Sequence, residues 1–347
     1  MTTVEHHPPV LEEARFLQTI RTGDSGAFAL LTERYRRELH VHCYRMVASF
    51  EDAQDLTQEV FLRAWRRRDT YEGRSTLRAW LYRIATNACL DFLARRPDRV
   101  PVAPGHEGAP SEVRYLQPYP DRLLDEVATG SPDDPADAAV AKETIELAFI
   151  VAVQHLPPKQ RATLILRDVL GWNARQAAAA LDTTVPAANS ALQRARATMR
   201  QQLPDRRLDW RASSKEELSR QDRDLLQRYM DAHSDGDPHA LAELLREDLR
   251  FAMPPESGSW VGRDTIVQSW VDSGFGSDIL GRWRCRLTWA NRQPAVVSYL
   301  RRPGDTEFRA FAVDVLTVQD GLVREITTFP WSVCETFGLP ATLQAAP

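Results

Sequence analysis

The sequence predicts a multidomain protein: two all-α parts followed by one α+β part built on a curved antiparallel sheet. Three observations predict it. Residues 11–96 contain no proline and repeat apolar side chains at three- and four-residue spacing. That spacing returns at 142–204, after a break at 97–141 that holds eight prolines and an excess of acids. From Leu249 the texture changes again, to alternating apolar and polar residues with a hairpin signal in QDGLV. A chain of 347 residues has room for two or three such parts.

In the first part Phe16, Phe28, Leu31 and Tyr35 open the apolar stripe. Within DLTQEVFLRAW (55–65), Leu56, Val60 and Ala64 face inward and leave Asp55, Gln58, Glu59 and Arg63 facing out. Taken singly, each of those four is what any solvated helix face carries. The loop YEGRS and a helix from Leu77 to Arg96 follow, with Trp80 and Ile84 on the apolar stripe. Residues 97–141 cannot build a core of their own and read as a tether, extended in places.

The second part ends in two short helices, NARQAAAAL (173–181) and VPAANSALQRARATMR (185–200), joined by DTT. In the last helix Val185, Ala188, Leu192, Ala195 and Met199 line one face. Asn189, Ser190, Gln193, Arg196 and Arg200 line the other, with Arg194 at the margin. Pro186 costs nothing in a first turn, and Thr183 or Thr184 can cap it. The pair fits a helix-turn-helix, whose Asn and Gln read base edges while arginines meet phosphates. A solvated surface helix of an α-bundle is the other reading. The net charge of −4 does not exclude DNA, because residues 159–207 carry nine Lys and Arg against three Asp and Glu.

A second linker spans 205–219, and the third part, 220–340, starts with two helices before its strands. Phe251, Met253, Trp260 and Trp270, with Asp314, are candidate lining of an apolar pocket, and the aromatic content suits a plain core equally. Asp314 is the one carboxylate inside an apolar strand, AVDVLTV, where burial would raise its pKa. Neither a cofactor nor a metal is expected. Cys43, Cys89, Cys285 and Cys334 lack CxxC spacing, and His40 and His42, two apart, diverge on a helix. No apolar run reaches membrane-spanning length and the first residues lack a targeting pattern, so a cytoplasmic protein without membrane contact is expected.

Two stretches carry a family resemblance. DAQDLTQEVFLRAWRRRDTYEGRSTLRAWLYRIATNACLDFLARR (52–96) resembles region two of sigma-70 family RNA polymerase sigma factors of the extracytoplasmic-function type. LPPKQRATLILRDVLGWNARQAAAALDTTVPAANSALQRARATMR (156–200) resembles their region four. YLQPYPDRLLDE and the C-terminal extension resemble the subgroup with a SnoaL-like domain, though no Asp-Gly-Gly-Gly-type motif is present. The resemblance implies region two at 11–96, a linker at 97–141, region four at 142–204, a linker at 205–219, and a SnoaL-like, NTF2-type cone at 220–340.

It further implies a sigma factor, not an enzyme, with core RNA polymerase (β′ and β subunits) and promoter DNA as partners. Asp55, Gln58, Glu59 and Arg63 would meet the polymerase. Arg74, Ser75, Arg78, Trp80, Arg83 and Asn87 would work at the minus-ten element, where a base leaving the stack is compensated by aromatic and cationic contacts. Asn189, Ser190, Gln193, Arg194 and Arg196 would meet the minus-thirty-five element. The tether would thread the polymerase cleft or act as a plain spacer. The cone would regulate activity, with an anti-sigma factor or a small-molecule ligand left open as a further partner. The alternative is a DNA-binding module fused to a small-molecule-binding or isomerase- or cyclase-like enzyme domain.

Overall fold

The computed structural model describes residues 18–19, 22–73, 75–96, 113, 115–124, 145–203, 219–256, 259–333 and 335–344. These fall into two compact units. One holds the described residues of Met1–Val102 and Val153–Arg200, the other those of Ala103–Asp125, Lys142–Ala152 and Gln201–Pro347.

The helical unit opens with α1 (Ser25–Glu33), started by Asp24, whose carboxylate accepts from the backbone N–H of Gly26 and Ala27. Helix α2 (Arg36–Val47) stops at Ala48, which turns left-handed at φ 57°. Ser49 caps α3 (Phe50–Arg66), with Glu51 and Asp52 in its first turn and Arg63 and Arg66 in its last, each sign matched to the helix dipole. Thr76 caps α4 (Leu77–Arg95). The helical pattern expected over 11–96 is thus several helices around one core, in which Leu39, Tyr44, Met46, Val60, Leu81 and Ala85 are buried; residues 11–17 lie outside the described set. His40 and His42 belong to that core and point to different partners. His40 donates to the Phe50 carbonyl at 3.3 Å, and His42 Nε2 lies 2.9 Å from the Thr86 hydroxyl. Burial lowers their pKa values to about 4 and about 3.

Helix α5 (Leu147–Gln154), grouped with the second unit as far as Ala152, is followed by α6 (Pro158–Leu164), which runs into a π turn at Ile165–Val169. Next come α7 (Ala174–Ala180), started by a reciprocal Asn173–Gln176 capping box, and α8 (Val185–Gln202). Arg161 on α6 is fully buried and donates to four carbonyl oxygens: those of Met46, Gln154 and Leu156, and the side-chain amide of Gln154.

In the second unit α9 (Arg220–Asp235) and α10 (Pro238–Glu243) precede β1 (Leu245–Ala252) and β2 (Ser259–Val261). Then follow α11 (Arg263–Asp272), β3 (Arg282–Ala290), β4 (Gln293–Arg301), β5 (Glu307–Gln319), β6 (Leu322–Pro330) and β7 (Thr342–Gln344). The sheet order is β2-β1-β6-β5-β4-β3, with β7 added to β5. The expectation of an antiparallel sheet needs one correction: β1 and β6 run parallel, since the chain crosses over between them instead of turning back. Helix α11 was not anticipated. Its inward residues Ile266 and Trp270 recur only once in ten residues, too short a run to outweigh the strand texture around it.

Two tight hairpins shape the sheet. QDGLV turns at Asp320 and Gly321, both with positive φ, and joins β5 to β6 as expected. Asn291 and Arg292, with φ of 54° and 60°, divide the alternating run RCRLTWANRQPAVVSYLRR into β3 and β4. Arginine is uncommon there, and its neighbours hold the turn: Asn291 N donates to the Tyr119 carbonyl at 2.9 Å, and Tyr119 N donates to Asn291 Oδ1 at 2.7 Å. Arg292 N donates to Asp121 Oδ1 at 2.8 Å, and the Asn291 amide donates to the Ile145 carbonyl. The described residues of the expected tether are therefore not bare spacer. Leu116, Tyr119, Leu123 and Leu124 are buried in this unit, because apolar residues lie between the prolines and the hairpin tip offers matching polar groups.

Candidate functional site

The helix-turn-helix face is built from the cap outward. Thr184 Oγ1 accepts from Ala187 N at 3.3 Å, which settles the cap between the two threonines and sets the phase of α8. Ala188, Leu192, Ala195 and Met199 are then buried, and Asn189, Ser190, Gln193 and Arg194 are exposed together on the opposite face. Arg196 departs from the expected set. It lies half-buried, forked onto Asp168 through Nε at 2.8 Å and Nη2 at 2.7 Å, so its charge already serves to brace α8 against the π turn.

On α3, Asp55 and Gln58 are exposed, while Glu59 and Arg63 are half-buried. Arg63 bonds Glu59 at 2.8 Å and Asp91 of α4 at 2.6 Å, so these two tie helices together. Leu62 shares the face of Asp55 and Gln58 and is 51% exposed. Sequence reasoning passed over it, although its position seven after Asp55 marks the same face.

The expected minus-ten set is spread along α4 and its entry loop, apart from Arg74, which lies outside the described residues. Ser75 is exposed, and its carbonyl accepts from the Tyr71 hydroxyl at 2.8 Å. Trp80 is half-buried with its ring 5.4 Å from that of Tyr71, whereas Ile84 is core. Arg78 bonds Glu38 at 2.8 Å; burial pushes the Glu38 carboxyl up, against the pull of Arg78. Arg83 is exposed and pairs with Asp182 in the turn before α8 at 2.7 Å. Asn87 is half-buried.

The cone encloses a cavity of about 300 Å³. Of the expected lining, Phe251, Met253, Trp270 and Asp314 are there; Trp260 stands outside it, 39% exposed, with its ring 5.7 Å from that of Phe251. Strand register sets the floor: Asp314 of β5 lies opposite Thr328 of β6, which donates to its Oδ1 at 2.6 Å. Tyr229 and His233, four apart on α9, enter from above, and the Tyr229 hydroxyl donates to Asp314 Oδ2 at 3.3 Å. Burial raises Asp314 to about 6 and lowers His233 to about 4. The signal for both α9 residues was present in the sequence, since they extend the inward stripe begun by Leu225 and Leu226.

Among the described residues no group of three or more His, Cys, Asp or Glu is placed to hold a metal ion, and no helix is long and apolar enough to cross a membrane.

Family models match three segments: Sigma-70 region 2 over residues 31–98, Sigma-70, region 4 over 146–199, and the SnoaL-like domain over 226–326. The chain is 39% identical over 332 residues to the ECF RNA polymerase sigma factor SigG of Mycobacterium tuberculosis, covering 92% of this chain and 85% of the relative. It is 26% identical to the ECF RNA polymerase sigma factor SigW of Bacillus subtilis, over 54% of this chain and 95% of that one. Among solved structures, the Mycobacterium tuberculosis extracytoplasmic function sigma factor SigJ matches with a TM-score of 0.54 at 22% identity, covering 86% of this chain and 96% of that one, a likeness of fold.

Proposed function

This chain belongs to the extracytoplasmic-function sigma factors of the sigma-70 family, and from that premise we propose how its surfaces bind core RNA polymerase and direct it to promoters in the cytoplasm. It is a sigma factor with a C-terminal SnoaL-like domain, not an enzyme. Asp55, Gln58 and the exposed Leu62 form the polymerase contact on α3, and Glu59 and Arg63 hold that face in place from beneath. Asn189, Ser190 and Gln193 choose sequence at the minus-thirty-five element, Arg194 supplies phosphate affinity, and Arg196 positions the helix. Arg74, Ser75, Arg78, Trp80, Arg83 and Asn87 act at the minus-ten element, where Arg78 and Arg83 exchange carboxylate partners for phosphates. The SnoaL-like domain regulates by holding residues 115–124 of the segment between the two sigma regions. An anti-sigma factor could compete for the exposed α3 face.

The observation that carries the reading is the α8 face, four exposed polar residues on a helix whose other side is closed. Run-off transcription with purified core polymerase on a pool of randomised promoter fragments tests it. The expected result is enrichment of fragments sharing two spaced elements, and Gln193→Ala shifts the upstream one. Transcripts no more selective than those of core polymerase alone would sink the assignment, and a Gln193→Ala variant that weakens all fragments alike would remove its role in sequence choice.

A further inference from the structure

Charge is segregated across the cone. Residues 220–243, which form α9 and α10, carry six Asp and Glu against three Arg, whereas 282–309 carry seven Arg against two acids. One of the seven, Arg292, is buried at the hairpin tip. Arg282, Arg284 and Arg286 alternate along β3 and so share one face, while Trp283 between them turns to the other and lines the cavity. Arg301 of β4 lies opposite Arg282 on the same face, and exposed Arg302 follows it. Arg284 and Arg301 both stack on the Phe308 ring, 4.5 and 5.1 Å from its centroid, and Arg284 Nη1 donates to the Gln344 carbonyl at 2.9 Å. The ring holds these two guanidiniums in place before any partner arrives. Arg282 and Arg286 are exposed. Among the described residues Arg282 has one carboxylate within reach, the exposed Asp278 at 3.9 Å, and Arg286 has none. The two acids of the stretch are engaged elsewhere: Asp305 accepts from Arg302 N at 3.3 Å, and Glu307 from the Gln344 amide at 2.6 Å.

We propose that this arginine face of β3 and β4 holds duplex DNA by its phosphate backbone, without reading sequence. From Arg282 to Arg286 the strand covers about 13 Å, a length over which a duplex carries about eight negative charges. An extended acidic peptide offers on one face at most one carboxylate every second residue, about three over the same length, so the density of charge favours the nucleic acid. The planar guanidinium fork matches phosphate oxygens. Charged side chains also guard an edge strand against pairing with another chain. Guarding accounts for the arginines of β3, which ends the sheet, but not for Arg301 and Arg302 on and just after the strand inside it. The inference rests on the promoter reading for its ligand and adds a contact in the SnoaL-like domain, outside both sigma regions.

Fluorescence anisotropy of a labelled random-sequence duplex of about 30 base pairs, titrated with the full chain between about 50 and 200 mM salt, tests it. The double variant Arg282→Ala, Arg286→Ala should bind at least fivefold more weakly at the lowest salt. Its slope of log affinity against log salt should lessen by about 1.8, which is 0.9 for each of two phosphates. Replacing the same pair by lysine keeps both charges and should leave the slope nearly as in the native chain. Both side chains are exposed, so the melting transition of either variant should stay in place. Arg194→Ala on α8 reports the promoter-reading side separately. A loss of affinity there, with none for the alanine pair on β3, would leave the promoter reading standing and overturn this one. An unchanged slope in the alanine pair, an equal loss in the lysine pair, no duplex binding by the native chain at low salt, or poly-glutamate of equal charge displacing the duplex from the native chain but not from the alanine pair would each overturn it as well.

Discussion

Each unit buries a charge, and the two do it differently. Arg161 of the helical unit, fully buried, gives its hydrogens to four carbonyl oxygens of Met46, Gln154 and Leu156. Asp314, 7% exposed, receives two hydroxyl hydrogens and faces a cavity. The first charge is matched from within the fold and acts as a tie between the segment before α6 and the end of α2. The second is left short of donors and retains capacity for something the fold does not supply. The largest expected effect is at the tie. Arg161→Leu leaves the Met46, Gln154 and Leu156 carbonyls buried without a donor and should cost the helical unit about 3 kcal/mol or more, read as a fall in the denaturant midpoint at constant m. Arg161→Lys, which keeps the charge but not the fork, should recover only part of it. A loss below about 1 kcal/mol for the leucine variant would mean that the carbonyls find other partners and the contrast is false.

The second prediction concerns the other charge. Burial raises Asp314 from 3.8 to about 6, so its ionised form in the folded state costs about 3 kcal/mol at pH 7. That cost is relieved as pH falls through 6 and is nearly gone at 4. Hence the unfolding free energy of the native chain should gain roughly 2 kcal/mol on Asp314→Asn between pH 7 and pH 4. His233 titrates in the opposite sense, losing stability below 6.5, but does so in both proteins and cancels. Chemical denaturation at four pH values, followed by the fluorescence of the cone's tryptophans, checks this. Parallel curves would show that Asp314 is solvated after all.

How much of this was legible in the chain depends on whether a residue's partner is local. The cap at Thr184, the stripe from Ala188 to Met199 and the Asp320–Gly321 turn follow from neighbours within a few positions, and all three were readable. Arg196 and Arg78 were assigned to promoter elements with no word of a carboxylate partner, because Asp168 and Glu38 lie 28 and 40 residues away. The Asn291–Arg292 turn lacked glycine and depends on Tyr119 and Asp121, more than 170 residues upstream. Asp314 was recognised as a carboxylate in an apolar strand, yet Tyr229, Thr328 and His233 were not seen beside it, since only the sheet register and the placement of α9 join them. Long-range pairing has no periodic signature.

The smallest expected effect on stability concerns an intermediate case, the exposed Arg83–Asp182 pair at 2.7 Å. Here a charge expected at the minus-ten element is matched by the fold, like Arg161, but in water, where such a pair contributes under about 1 kcal/mol. Losing the pair in Asp182→Ala should therefore cost little, and most of any small fall in the melting transition should come from placing Ala at a left-handed φ of 47°, which Asp tolerates better. The substitution frees a guanidinium that otherwise must give up a carboxylate before meeting phosphate, and it removes one negative charge beside the DNA-facing helix. Both changes favour the nucleic acid, so the full chain should bind a minus-ten single strand two- to threefold more tightly, with a steeper salt dependence. Adding Arg83→Ala to Asp182→Ala should cancel most of the gain and leave only the part owed to the lost negative charge. If the gain persists in the double variant, charge removal alone explains it, and Arg83 belongs with Arg161 among residues whose work is internal.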